Sequence, residues 1–148
     1  MTRPQVLIVD DQAMNIELAR FVLEAGGFEV DSAADALEAI SCIAAHRPDV
    51  VLMDIQMPGT DGLALTRQLK QDPITQGIVV VAFTAYAMKG DEARVRAAGC
   101  DGYLAKPIKV ASFAASVHAL LAAGPSEHAG RQVDGEGQDR GVEAKRQQ

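Results

Sequence analysis

Tryptophan is absent from this chain, and aromatic residues make up only 4% of it. A core built from such a chain must be mainly aliphatic. Aromatic and basic residues are nowhere interleaved, so the stacking and charge pattern of a nucleic-acid surface is missing. Basic runs are missing as well, and the formal net charge is −6, which argues against nucleic acid as the main partner. There are only two cysteines, Cys42 and Cys100. Neither sits in a C-x-x-C pair or a Cys/His cluster, so both read as small buried thiols in a reducing compartment. Long apolar runs are also lacking. The opening MTRPQVLIVDD has no signal-peptide core, and no stretch approaches the length of a membrane span. The expectation is a cytoplasmic protein that engages neither nucleic acid nor membrane.

What the chain does have is 148 residues with a hydrophobic fraction of 48%, enough for one domain and a real core. Strand-like and helix-like segments alternate along it. QVLIV, DVVLMD and GIVVVAF are apolar runs of the kind buried on both faces. FEVDSA and DGYLA are weaker and read as edges. Between them, Met14, Leu18, Phe21, Val22 and Ala25 share one helical face, Leu37, Ile40 and Ala44 mark a second helix, and Leu65 and Leu69 a third. A short helix runs from about Asp91 to Ala98. Phe113, Val117, Leu120 and Leu121 line a last one. Five β-then-α units predict an α/β fold, a doubly wound five-stranded parallel sheet with helices on both faces. Placing the two weak strands outermost gives the order 2-1-3-4-5, the flavodoxin-like arrangement.

From Gly124 onward the pattern stops. Residues 124–148 carry five acids and four bases among many Gly and Gln, too little apolar matter to fold alone. The expected division is a domain over 1–123 and a disordered polar tail over 124–148.

The segment VLIVDD runs a buried strand straight into two adjacent carboxylates, which repel each other and are costly to bury. The doubly wound order explains the placement. Ligands bind beyond the carboxyl ends of the strands where strand order reverses, here between the first and third strands. Asp10 and Asp11 end the first and Asp54 ends the third, so three acids converge where a cation would neutralise them. Hard oxygen ligands without His or Cys point to Mg²⁺. Asp11 and Asp54 are the best direct ligands, Asp10 acts through water, and the Gln56 carbonyl completes the set. Thr84 ends the fourth strand and Lys106 the fifth. A hydroxyl and an ammonium beside a metal-bound carboxylate suit phosphoryl transfer onto Asp54, with the cation and Lys106 neutralising phosphoryl oxygens. A single acid at a strand end is as readily a helix cap or turn residue; the weight lies in five such positions together.

VDD, MDIQMPGTDG, TAYAMKGD and GCDGYLAKPI together resemble the receiver domain of two-component response regulators, over about residues 5 to 123. The form TAYAMKGDEARVRAAGCDGYLAKPI is most similar to stand-alone regulators of the DivK type and to receivers attached to hybrid histidine kinases. The resemblance implies that Asp54 is the phosphoacceptor, served by a histidine kinase or histidine phosphotransfer protein. It implies that Asp10 and Asp11 hold Mg²⁺, that Lys106 contacts the phosphoryl oxygens, and that Thr84 and Tyr103 are the switch pair. Lys106-Pro107 would be a cis peptide. Output would pass to a downstream protein target through the surface of the fourth helix, fifth strand and fifth helix, or phosphate would pass on to another histidine domain. A bulky Tyr86, two residues past Thr84, would shield the acyl phosphate from water.

Rival functions fit less well. A phosphatase working through an aspartyl phosphate needs a second Asp where Gln56 stands. A flavin mononucleotide carrier needs a phosphate cradle where Asp10 and Asp11 would repel phosphate. A P-loop is absent. A receiver that only binds and is never phosphorylated is the remaining alternative, and the intact five-position set speaks against it. No activity on an external substrate is expected.

Overall fold

The computed structural model describes residues 3–55, 57, 61–84 and 91–125. Within them five strands and five helices alternate: β1 (Gln5–Val9), α1 (Ala13–Ala25), β2 (Glu29–Ala33), α2 (Ala36–Ala45), β3 (Val50–Met53), α3 (Gly62–Gln71), β4 (Val79–Thr84), α4 (Asp91–Ala97), β5 (Gly102–Ala105) and α5 (Phe113–Ala123). All pairings are parallel and the order is β2-β1-β3-β4-β5, as the strand hydrophobicities predict. The central strands β1, β3 and β4 are almost wholly buried, while β2 and β5 are only partly so. No described helix is long and apolar enough to cross a membrane. Of the tail expected over 124–148, residues 126–148 lie outside the described residues.

Period-two alternation sends strand side chains into two cores. Leu7, Val9, Val51, Met53, Val80 and Ala82 face α2, α3 and α4. Val6, Ile8, Val50, Leu52, Val81 and Phe83 face α1 and α5. Each fully buried aliphatic side chain contributes about 1.5–3 kcal/mol.

Local chemistry sets the helix ends. Asp35 caps α2 by accepting from the Glu38 N–H at 2.8 Å, while the Glu38 carboxylate accepts from the N–H of Ala34, the residue before the cap, at 2.6 Å. Asp61 caps α3 by accepting from the Leu63 and Ala64 N–H groups. Gly27 closes α1 at φ +98, where the Phe28 N–H donates to the Leu23 carbonyl; that left-handed backbone favours glycine.

Two helix faces differ from the sequence reading. In α1 the buried residues are Ala19, Val22 and Leu23, whereas Met14 and Phe21 are 84% and 71% exposed. In α2, Ala39 and Ile43 are buried while Leu37 is 78% exposed. Each helix carries two overlapping apolar stripes, and the buried one centres on Ala19 in α1 and Ala39 in α2. Cys42 is likewise only half-buried, against a fully buried Cys100.

Candidate functional site

The carboxyl ends of β1, β3, β4 and β5 meet at one crevice. The β ladder runs one residue beyond each strand and fixes the backbones there: the Asp10 N–H donates to Ala33 O (3.0 Å), Asp54 N–H to Val9 O (2.9 Å) and Lys106 N–H to Thr84 O (2.8 Å). Asp10 and Asp54 are buried and Asp11 is exposed. One carboxylate oxygen from each of the three acids lies within 4.8 Å of the others. The Lys106 ammonium bridges two of them, donating to Asp10 Oδ2 at 3.0 Å and Asp54 Oδ2 at 3.2 Å. The other Asp10 oxygen accepts from the Gln12 N–H at 2.9 Å, a local turn that feeds the chain into α1.

The N-terminus of α3 presses on the same spot. A Cβ on Gly62 would stand 2.9 Å from the Asp54 carbonyl oxygen and 3.0 Å from Ile55 Cα. Only glycine lets the helix approach the strand end that bears Asp54 this closely.

Thr84 is fully buried at the end of β4 and pairs in register with Ala105, beside Lys106. Tyr103 pairs with Ala82, two residues earlier, and is half-buried against the core of α2, α3 and α4. The Lys106-Pro107 bond is cis. Of the residues singled out by sequence, the fold thus brings Asp10, Asp11, Asp54 and Lys106 into one cluster, with Thr84 on the neighbouring strand end. Gln56 and Tyr86 lie outside the described residues. Met53 and Met57 are buried, as packing residues should be.

Sequence reasoning missed Phe83, whose ring lies beneath the Lys106 ammonium. It also missed the buried ion pair of Lys70 with Asp101. An apolar residue inside an apolar strand carries no separate signal. A lysine following Leu69 on α3 reads as surface.

This fold and acidic crevice define a signalling receiver, and the comparisons agree. The model of the response regulator receiver domain matches residues 6–118. The chain belongs to that family. It is 45% identical over 116 residues to the polar-differentiation response regulator DivK of Brucella anthropi, covering 78% of this chain and 94% of that one. Among solved structures, the receiver domain of a signal transduction histidine kinase from Syntrophus aciditrophicus is 32% identical with a TM-score of 0.72, over 81% of this chain and 91% of that one. The receiver domain of a sensor histidine kinase from Pseudomonas aeruginosa, with a magnesium ion coordinated in its active-site cleft, is 29% identical with a TM-score of 0.73, over 82% and 99%.

Three clustered carboxylate oxygens are a hard donor set that suits Mg²⁺, which commonly takes one or two carboxylates and keeps waters for a phosphate. The residues present fit that ion.

Proposed function

We propose that this chain is a response regulator phosphorylated on Asp54 by a histidine kinase or histidine phosphotransfer protein in a Mg²⁺-dependent reaction. The carrying observation is the Lys106 ammonium held between Asp10 Oδ2 and Asp54 Oδ2. An ammonium fixed in the crevice supports a site that takes up a negatively charged group. Asp10, Asp11 and Asp54, with the Gln56 carbonyl, would hold the ion, and when bound it supplies charge neutralisation for the incoming phosphoryl group.

A carboxylate oxygen of Asp54 attacks phosphorus. The bond from phosphorus to the donor's imidazole nitrogen breaks, and its electron pair leaves with the imidazole. An acyl phosphate on Asp54 results. Lys106 pairs with phosphoryl oxygens in the transition state, a preorganised charge in a partly desolvated pocket. The Thr84 hydroxyl then hydrogen-bonds the phosphoryl group and Tyr103 turns inward, which biases a two-state equilibrium. The response is read by a downstream protein at α4, β5 and α5. The folded unit is taken as 1–123, with 124–148 as a polar tail. Tyr86 limits the access of water, so Tyr86→Ala shortens the phosphoryl lifetime.

A docking face for the donor adjoins the pocket. Met14, Leu18 and Phe21 are exposed at i, i+4 and i+7 on α1, beginning three residues after Asp11. An apolar stripe leading from a reaction centre suits a partner helix laid along it. Passing the phosphoryl group on to a second histidine domain is the other reading of the same site.

The test is the intact mass of the chain after incubation with phosphoramidate and Mg²⁺. A single phosphoryl adduct is expected, lost with chelator and absent in Asp54→Asn. An adduct that survives Asp54→Asn, or none on the wild type, refutes the assignment.

A further inference from the structure

Lys106 has a third partner that is not an acid. Its Nζ stands over the ring of Phe83, 5.2 Å from the centroid. Phe83 immediately precedes Thr84 on β4 and is 1% exposed. Its ring is backed by Phe113 of α5, with centroids 5.5 Å apart and planes tilted by 38°. A buried strand position needs only an apolar side chain of the right volume, which Leu or Met would supply. An aromatic ring adds a negative face, and an ammonium within about 6 Å of a ring centroid is attracted to it, more so when shielded from water. The Lys106 side chain is 14% exposed.

We propose that Phe83 is a positioning residue for phosphoryl transfer, its ring holding the Lys106 ammonium over the pocket through every charge state of the acids. The inference rests on the reading of Asp54 as phosphoacceptor. Asp10 and Asp54 are changeable partners, because a bound cation offsets their charge and phosphorylation moves the negative charge of Asp54 out onto the phosphoryl oxygens. The ring's quadrupole is permanent. It keeps the ammonium from swinging to solvent while its carboxylate partners are engaged elsewhere. Phe113 is the first residue of α5, so the same stack ties the place of the ammonium to the start of that helix.

Fluorination separates the ring's charge from its shape. Phenylalanines with one, two and three ring fluorines at position 83 keep nearly the same volume and weaken the negative face stepwise. Phe83→Leu removes it. Two readouts are needed. In the chain without donor or metal, the Lys106 Hε resonances should lie upfield, under the ring current, and return toward ordinary positions in Phe83→Leu. With phosphoramidate and Mg²⁺, the rate of adduct formation should fall progressively along the fluorine series, about three- to fivefold at its end. The urea midpoint should hold constant along that series. Ordinary Lys106 resonances in the wild type, or equal rates along a series that does form the adduct, overturn the inference alone. A wild-type chain that takes no phosphoryl group overturns the functional reading, and the inference falls with it.

Discussion

Two lysines are buried against aspartates at opposite ends of the same sheet. At the amino end, Lys70 in the last turn of α3 meets Asp101 Oδ2 at 2.6 Å, with side chains 4% and 1% exposed. Its ammonium also donates to the carbonyls of Ile78 (2.7 Å) and Gln76 (3.2 Å), and Asp101 Oδ2 accepts from the Val80 N–H at 2.9 Å. At the carboxyl end, Lys106 is shared between Asp10 and Asp54 beside the exposed Asp11. An ammonium has three donors. Lys70 spends two of them on backbone carbonyls, whose charge cannot change. Lys106 spends its hydrogen bonds on carboxylates, whose charge a bound cation can offset. The first pair is a staple between α3 and the starts of β4 and β5. The second is an exchangeable arrangement. Burial of an ion pair therefore does not distinguish structure from function, but the identity of its partners does.

Breaking the staple should give the largest effect. Lys70→Met takes from the buried Asp101 carboxylate the ammonium that pairs with it, which costs about 3–5 kcal/mol. Replacing both charges, as Lys70→Met with Asp101→Asn, should recover most of that, because the Val80 N–H keeps an acceptor. Urea unfolding of the two variants measures both. A loss below about 1 kcal/mol in the single variant would place Lys70 among ordinary surface pairs.

The two pairs also differ in how legible they are. Asp10, Asp11, Asp54, Thr84 and Lys106 all stand at the ends of strand-like runs, so hydrophobic pattern and sheet topology place them together before any coordinates are known. Strand order was equally legible, since FEVDSA and DGYLA are visibly less apolar than the central strands. Lys70 and Asp101 give no such sign. One follows an amphipathic stripe and the other sits in the turn-like GCDGY, and only the tertiary fold brings them together across 31 residues of sequence. The phases of α1 and α2 are ambiguous in the sequence for a related reason. Met14, Leu18 and Phe21 compete with Ile16, Ala19 and Leu23 for the same core, and periodicity alone does not weigh side-chain size against the spacing of helix and sheet.

A divalent cation should act on one pair and not the other. By linkage, Mg²⁺ at a hundred times its dissociation constant adds about 2.7 kcal/mol to the folded state. Asp54→Asn should shrink that increment by withdrawing a charged ligand. Lys70→Met should leave it unchanged, because the staple and the acidic crevice lie at opposite ends of the sheet and distant sites add. Paired thermal or urea unfolding with and without Mg²⁺ gives the increments. An increment that vanishes in Lys70→Met would mean the two ends of the sheet are coupled.

The smallest effect lies beside the staple and appears only in alkali. Cys100 is fully buried next to Asp101, with its Sγ 3.9 Å from Thr66 Oγ1. Burial pushes its thiol up from 9.0 to about 11; the Thr66 contact opposes that rise, and Asp101 adds to it. The folded state therefore prefers the neutral thiol, and the unfolded chain loses its proton first. That preference is fully present below pH 9 and is lost as pH rises through 11, by about 1 kcal/mol at pH 10. Urea midpoints at pH 8 and pH 10 should fall further apart in the wild type than in Cys100→Ala. The other alkaline titrations are common to both chains and cancel in the difference. Cys42→Ala is the matched control, since that thiol is also raised by burial but sits half-exposed on α2. If Cys42→Ala reduced the alkaline loss as much as Cys100→Ala, the closed character of the staple end would be wrong.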